Sequence, residues 1–265
     1  MKPVLPEPEV FTKGKTPELN EDAYGYNDHT WVVCDGVSDK SGELYNGKRG
    51  GELTAPLVVD TVLGSDKFGI ELVARITARI QDLYRDVNPR ALVDHNYQFG
   101  STMIAARRQG DEIIVTQVGD SPFRVNGRDE YTQPMEIDRV NAGRRKEYIE
   151  ATGDVEGARA HILPYLKDQL QYANNPDHKY GYGVLNGFDV PEKYVKVYRF
   201  RADKVHTIEL VTDGYADFPK EVSIDAYEKL HREILEDDPT RTKKYVWTKV
   251  ADDRTVLIGR LAEPA

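Results

Sequence analysis

The sequence predicts an α+β fold with antiparallel sheets in the middle and helices packed outside. Three observations carry this expectation. Apolar runs rich in β-branched residues alternate with turn dipeptides, most joins are too short for the crossover that parallel pairing requires, and helical patterns lie between the runs. Residues 30–34 read as a buried strand that ends at Asp35-Gly36. A helix is expected to begin near Gly51 to Pro56, with Pro56 in its first turn, where its missing N–H costs nothing. Residues 70–84 place Ile70, Val73, Ile76, Ile80 and Leu83 on one helical face. Residues 112–118 read as a strand that ends at Gly119-Asp120. Residues 123–125 are expected as its short partner, closed by the hairpin dipeptide Asn126-Gly127. Residues 194–200 and 206–212 read as two strands split by residues 201–204, the second ending at Asp213-Gly214. Residues 223–235 read as a helix, and residues 255–261 as a last strand preceded by Asp252-Asp253. Residues 128–194 fit the pattern poorly. Polar and tyrosine-rich, they read as an irregular or partly helical, flap-like excursion from a single domain spanning 1–265.

Composition narrows the function classes. With 265 residues, 39% hydrophobic and 31% charged, the chain can bury a substantial core and reads as a soluble globular protein. No apolar run approaches the ~20 residues of a membrane helix, and residues 1–13 carry no apolar segment of a signal peptide, so a cytoplasmic location is expected. One cysteine, Cys34, excludes an internal disulfide and a cysteine-based zinc site. The net charge of −9 argues against a nucleic-acid partner, and the chain is expected to be a monomer away from membranes.

The positions of the aspartates are more telling than their number. Asp35, Asp120 and Asp213 each follow an apolar strand run and have a glycine neighbour, and Asp252 and Asp253 open the last strand. In antiparallel sheets the end of one strand lies beside the start of its neighbour, so these sites can meet at one edge, joined by Glu21 and Asp22. Clustered carboxylates must bind protons or cations, and an all-oxygen set selects Mg²⁺, Mn²⁺ or Ca²⁺ over zinc. A lone Asp-Gly is an ordinary turn. Here, however, Gly36 is followed by the loop Val37-Ser38-Asp39-Lys40 and Gly214 by Tyr215-Ala216-Asp217, and neither continues as a two-residue hairpin.

Asn20-Glu21-Asp22-Ala23, Val33-Cys34-Asp35-Gly36, Gly51-Glu52, Gly100-Ser101-Thr102, Val118-Gly119-Asp120-Ser121, Thr212-Asp213-Gly214 and Asp252-Asp253-Arg254-Thr255-Val256 occur in this order. The series resembles the motifs of the PPM, or type-2C, metal-dependent Ser/Thr protein phosphatases. The resemblance runs from about residue 20 to 261. It implies a four-layer α-β-β-α sandwich of two antiparallel sheets flanked by helices, with two to three Mn²⁺ or Mg²⁺ ions at one end. It further implies that Asp35 bridges two metals, with Asp213 and Asp252 completing the first. The Gly36 carbonyl, with Glu21 and Asp22 through water, would serve the second, and Asp120 and Asp217 a third. Thr102 would be a nearby support, and the catalytic set would be Asp35, Asp213 and Asp252. The implied reaction is hydrolysis of phosphoserine or phosphothreonine in a protein substrate, by attack of a hydroxide bridging the two ions. A pseudophosphatase or regulatory module on the same fold, and a phosphatase of a non-protein substrate, are the rival readings.

Three positions depart from the family pattern. Pro17 stands where a phosphate-binding arginine is usual, Val37 where many members have histidine, and Pro122 where an arginine often follows Gly-Asp-Ser. Lys15 is the expected replacement for the first, with Lys13 or a distant arginine such as Arg124 as alternatives. Gly14-Lys15-Thr16 is no phosphate loop, because Glu9 stands where that motif needs glycine. Ser101 and Ser121 have no histidine at an informative spacing, the six histidines are dispersed, and Cys34 reads as core.

Overall fold

The computed structural model describes residues 4–261. Its first sheet has the strand order β10-β7-β6-β3-β2, with β2 Ala23–Asn27, β3 Thr30–Cys34, β6 Met103–Gln109, β7 Glu112–Val118 and β10 Lys196–Arg201. The second has the order β1-β12-β11-β8-β9, with β1 Glu9–Lys13, β8 Phe123–Val125, β9 Asp129–Tyr131, β11 Thr207–Val211 and β12 Arg254–Arg260. Every pairing is antiparallel, and a short ladder of β4 Gly36–Val37 with β5 Gly100–Ser101 lies beside them. Strand alternation sorts the side chains into three cores. Trp31, Val33, Ile104, Val115, Phe123, Leu210 and Leu257 pack between the sheets. Val32, Cys34, Met103 and Ala105 face the other way, onto α1 Gly50–Leu63 and α2 Gly69–Val87 through Val58, Val62, Leu72, Ile76 and Ile80. Val211, Val256 and Ile258 meet Tyr227 of α5 Ile224–Asp237 on the far side. The four layers expected from the family resemblance are therefore present, in the order helices, sheet, sheet, helix.

Several elements depart from the sequence-based expectation. Residues 123–125 do form a strand, but it pairs with β11 and β9 in the second sheet rather than with β7. The cause lies at Gly119, whose φ of +90° turns the chain from one sheet to the other; a Cβ there would also meet the Thr102 side chain at 2.7 Å. Pro56 lies in the second turn of α1, not the first, and is tolerated on the exposed face of the helix. The excursion at 128–194 is partly helical, as its sequence suggests. After β9 it carries α3 Glu136–Thr152 and α4 Gly157–Asp168, which pack on each other, before an irregular return through residues 173–191. Among the described residues, no helix is long and apolar enough to cross a membrane.

Candidate active site

Register brings the acidic residues to one end of the sandwich. In the first sheet Ala23 pairs with Cys34, which puts Asp22 and Asp35 side by side. Met103 pairs with Val118, which brings Thr102 next to the Gly119-Asp120 turn. In the second sheet Val211 pairs with Val256 and Lys13 with Arg254, so Asp213, Asp252, Asp253 and Lys15 leave their strands at a common edge. A hydrogen bond from the Thr212 hydroxyl to Asp22 Oδ2, at 2.8 Å, joins the two edges, and Thr212 Oγ1 in turn accepts the Thr255 N–H at 2.8 Å.

The turn at Asp35-Gly36 is fixed from several sides. The Asp35 carbonyl accepts the Thr102 N–H and the Ser101 hydroxyl, both at 2.9 Å, while the Asp35 N–H donates to Thr102 Oγ1 at 3.2 Å. Thr102 Oγ1 also hydrogen bonds Ser121 at 2.7 Å, which makes Thr102 a support under the site. Gly36 donates to the Glu21 carbonyl at 3.1 Å and packs so closely on Gly51 that a Cβ on Gly36 would meet the Gly51 carbonyl oxygen at 2.6 Å. The Glu21 carboxylate is held by the Ser38 hydroxyl on one oxygen and by Lys15 Nζ, at 2.5 Å, on the other.

Asp22, Asp35, Asp120 and Asp213 are half-buried, and Asp252 and Asp253 are buried. Burial, followed by the charges of Asp213, Asp22 and Asp252, holds the Asp35 carboxyl well above the usual carboxylate range. Burial likewise raises Asp120, with Asp213 and Asp138 adding to it, and lifts Asp22 to about 8, with Asp252 and Asp253 adding to it. Asp252 rises to about 6 through burial and Asp213, although Lys249 opposes the shift. The Lys249 ammonium contacts Asp252, and although burial disfavours its charge, Asp252, Asp213 and Asp35 raise its pKa. Asp22 Oδ1 and Asp213 Oδ1 are buried with no hydrogen-bond donor. Among the described residues no three His, Cys, Asp or Glu side chains are already closed into a metal cage. The donor set nevertheless fits a hard cation, since it consists of mutually repelling carboxylate oxygens, two of them unbonded, beside tightly turned backbone at Gly36.

Most of the expected site residues thus meet. Asp217 does not: it is exposed, held by the Tyr245 hydroxyl and by Lys244 at 3.8 Å, and the carboxylates whose charge bears on Asp120 are Asp213 and then Asp138 of α3. Lys15 is at the site, where its backbone N–H and ammonium reach the two oxygens of Asp253 at 2.7 and 3.0 Å. Arg124 lies elsewhere, buried against Glu209 at 2.8 and 2.5 Å. Cys34 is core, and burial pushes its thiol up, which keeps it unreactive. Sequence reasoning missed Ser38, Lys40, Asp138, Arg159 and Lys249. Of these only Lys249, three residues from Asp252, stood near a motif of the last strand.

The sequence profile described as Protein phosphatase 2C matches residues 15–244. No curated protein sequence matches the chain. Among solved structures, a bacterial serine phosphatase aligns with a TM-score of 0.55 at 16% identity, covering 98% of this chain and 99% of that one. Stp1, a serine/threonine phosphatase from Staphylococcus aureus, aligns with a TM-score of 0.53 at 17% identity, covering 97% of this chain and 95% of its own. The catalytic domain of the serine/threonine phosphatase PstP, in complex with two manganese ions, aligns with a TM-score of 0.52 at 16% identity, covering 97% and 98%.

Proposed function

Because the chain belongs to the protein phosphatase 2C family, we propose that it is a metal-dependent phosphatase acting on phosphoserine and phosphothreonine in proteins, as a cytoplasmic monomer. The observation that carries this reading is the convergence of Asp22, Asp35, Asp120, Asp213 and Asp252 from separate strand ends, with unbonded oxygens on Asp22 and Asp213. PstP, a structural neighbour, holds two manganese ions, which supports two to three Mn²⁺ or Mg²⁺ ions here. Asp35, Asp213 and Asp252 would hold the first ion, with Asp35 shared. The Gly36 carbonyl, Glu21 and Asp22 would serve the second, and Asp120 a further one. When bound, such ions supply charge against the phosphoryl oxygens and make water a nucleophile near neutral pH. The protein's own part is to hold these groups rigid. Thr102 fixes the Asp35 backbone, Ser38 and Lys15 aim Glu21, and Thr212 orients Asp22.

The decisive experiment is turnover of p-nitrophenyl phosphate and of a phosphopeptide panel with and without Mn²⁺. EDTA should stop both, Mn²⁺ or Mg²⁺ should restore them, and zinc should substitute poorly. Asp35→Asn should keep the fold yet lower turnover by about 100-fold or more, ~2.7 kcal/mol of barrier. Near wild-type turnover of that variant at saturating Mn²⁺ would overturn the assignment. Metal binding without turnover of any phosphoester would favour a regulatory module on the same fold, a reading the Lys249–Asp252 contact also invites.

A further inference from the structure

A phosphomonoester dianion approaching the acidic end needs cations that are not already neutralised, because Pro17 stands where the family's arginine would be. The basic side chains near the site divide sharply on this criterion. Lys15 is shared between Glu21 and Asp253, and Lys249 contacts Asp252. Arg124 lies away from the site, committed to Glu209 and the Pro219 carbonyl. Two others remain. Lys40, on the loop after β4, donates at 2.9 Å to the carbonyl of Ser38, the residue whose hydroxyl holds Glu21. Arg159, on α4, donates through Nη1 at 3.0 Å to the carbonyl of Thr248, next to Lys249. Among the described residues neither forms an ion pair. Both are anchored by backbone carbonyls to segments that hold cluster residues.

We propose that Arg159 and Lys40 together form the phosphate-binding subsite of this chain, beside the acidic cluster. Arg159 would supply the bidentate fork that suits phosphate, with only one of its five N–H groups committed to Thr248, and Lys40 would supply a point charge. Their environment supports the assignment. Burial, then the neighbouring Arg159 and Lys249, lowers Lys40 to about 8, and burial lowers Arg159. Like charges gathered in a half-buried place are costly unless an anion joins them. Carboxylates at Asp252 and Asp138 lie within electrostatic reach of Arg159 without pairing with it, which leaves the guanidinium available. The arginine absent from the first motif is thereby replaced from α4, far away in sequence.

The inference rests on the phosphatase reading, and its test separates the two. The full chain loaded with Mn²⁺ is titrated with inorganic phosphate by calorimetry, as wild type and as Arg159→Met, Arg159→Lys and Lys40→Met. Mn²⁺ affinity is measured on the same proteins. Arg159→Met should raise the phosphate Kd about tenfold or more, as expected for the loss of hydrogen bonds to a charged group. Lys40→Met should raise it several-fold, and Arg159→Lys should fall between wild type and Arg159→Met. The Mn²⁺ Kd should hold within about twofold, because neither residue holds the metals, and KM for p-nitrophenyl phosphate should rise more than kcat falls. Arg159→Lys keeps the charge and removes only the bidentate fork, so it stays informative should Arg159→Met unfold. Unchanged phosphate affinity in the Arg159 variants, or no phosphate binding by wild type, would overturn the proposal. Arg159-dependent phosphate binding without turnover would sink the enzymatic reading and leave the subsite standing.

Discussion

Arg124 and Glu209 show how far a single residue's role depends on its partners. Glu209 is fully buried, receives two bonds from the Arg124 guanidinium and a third from the Tyr227 hydroxyl at 2.8 Å, and lies between the second sheet and α5. Removing one partner leaves the other charge buried and uncompensated. Arg124→Met should therefore cost about 3–5 kcal/mol in urea unfolding, and adding Glu209→Leu should recover much of that. An Arg124→Met loss below about 1 kcal/mol would show the pair to be solvated. The same logic separates the residues at the acidic end. Those that carry a motif, such as Asp35 and Asp213, were legible because an Asp-Gly pair that fails to continue as a hairpin is unusual. Lys40, Arg159 and Lys249 carry no such mark. They are lone cations in polar sequence, and only the packing that brings them to the carboxylates distinguishes them from solvated side chains.

At the level of elements, legibility followed apolar continuity. Residues 30–34, 112–118 and 123–125 were readable because they are unbroken β-rich runs, and α2 because its apolar stripe faces one way. β1, β2 and β9 are edge strands, half exposed and with little alternation, so EVFTK, AYGYN and DEY gave no signal. β6 was hidden by its alanines and by Arg107-Arg108. The hairpin at Asn126-Gly127 was real, but its partner lies after it, in β9, because β7 and β8 belong to different sheets. The insertion at 128–194 resisted reading since α3 buries Asn141 and Arg145 beside Ile137 and Ala142, and the short apolar stripe of α4, Ala158, Ile162 and Leu166, is interrupted by Pro164. Arg145 of α3, 1% exposed, donates to the carbonyls of Thr240 and Trp247 at 2.9 and 3.2 Å. Arg145→Met should therefore loosen the insertion from the segment after α5. Hydrogen exchange should rise across residues 136–168 with the sheet amides unchanged; unaltered exchange there would mean that apolar contacts alone seat the helices.

For the whole molecule, the raised carboxyls make stability depend on pH and on cations. Asp22, at about 8, and Asp252, at about 6, lie above their ordinary 3.8, and Asp35 and Asp120 shift the same way. The folded chain thus holds protons that the unfolded chain releases. The contribution is fully present below the ordinary carboxylate range and is lost as pH rises through about 6 and then about 8. In EDTA, Tm should fall from about pH 5 to about pH 8.5, and millimolar Mn²⁺ should raise Tm most at the alkaline end and flatten the slope. A flat profile in EDTA would mean that Lys15 and Lys249 already neutralise the cluster. The second sheet is closed by segments from opposite ends of the sequence. β1 is hydrogen-bonded to β12, and Lys15 reaches Asp253 across a separation of 238 residues. The cluster therefore depends on contacts of very high sequence separation, which form late because loop closure must come first. On the ribosome, a growing chain that has not yet released its last strand exposes Asp22, Asp35 and Asp120 without the partners that complete the site. The capacity to hold ions would then arrive with the final strand, all at once rather than by degrees.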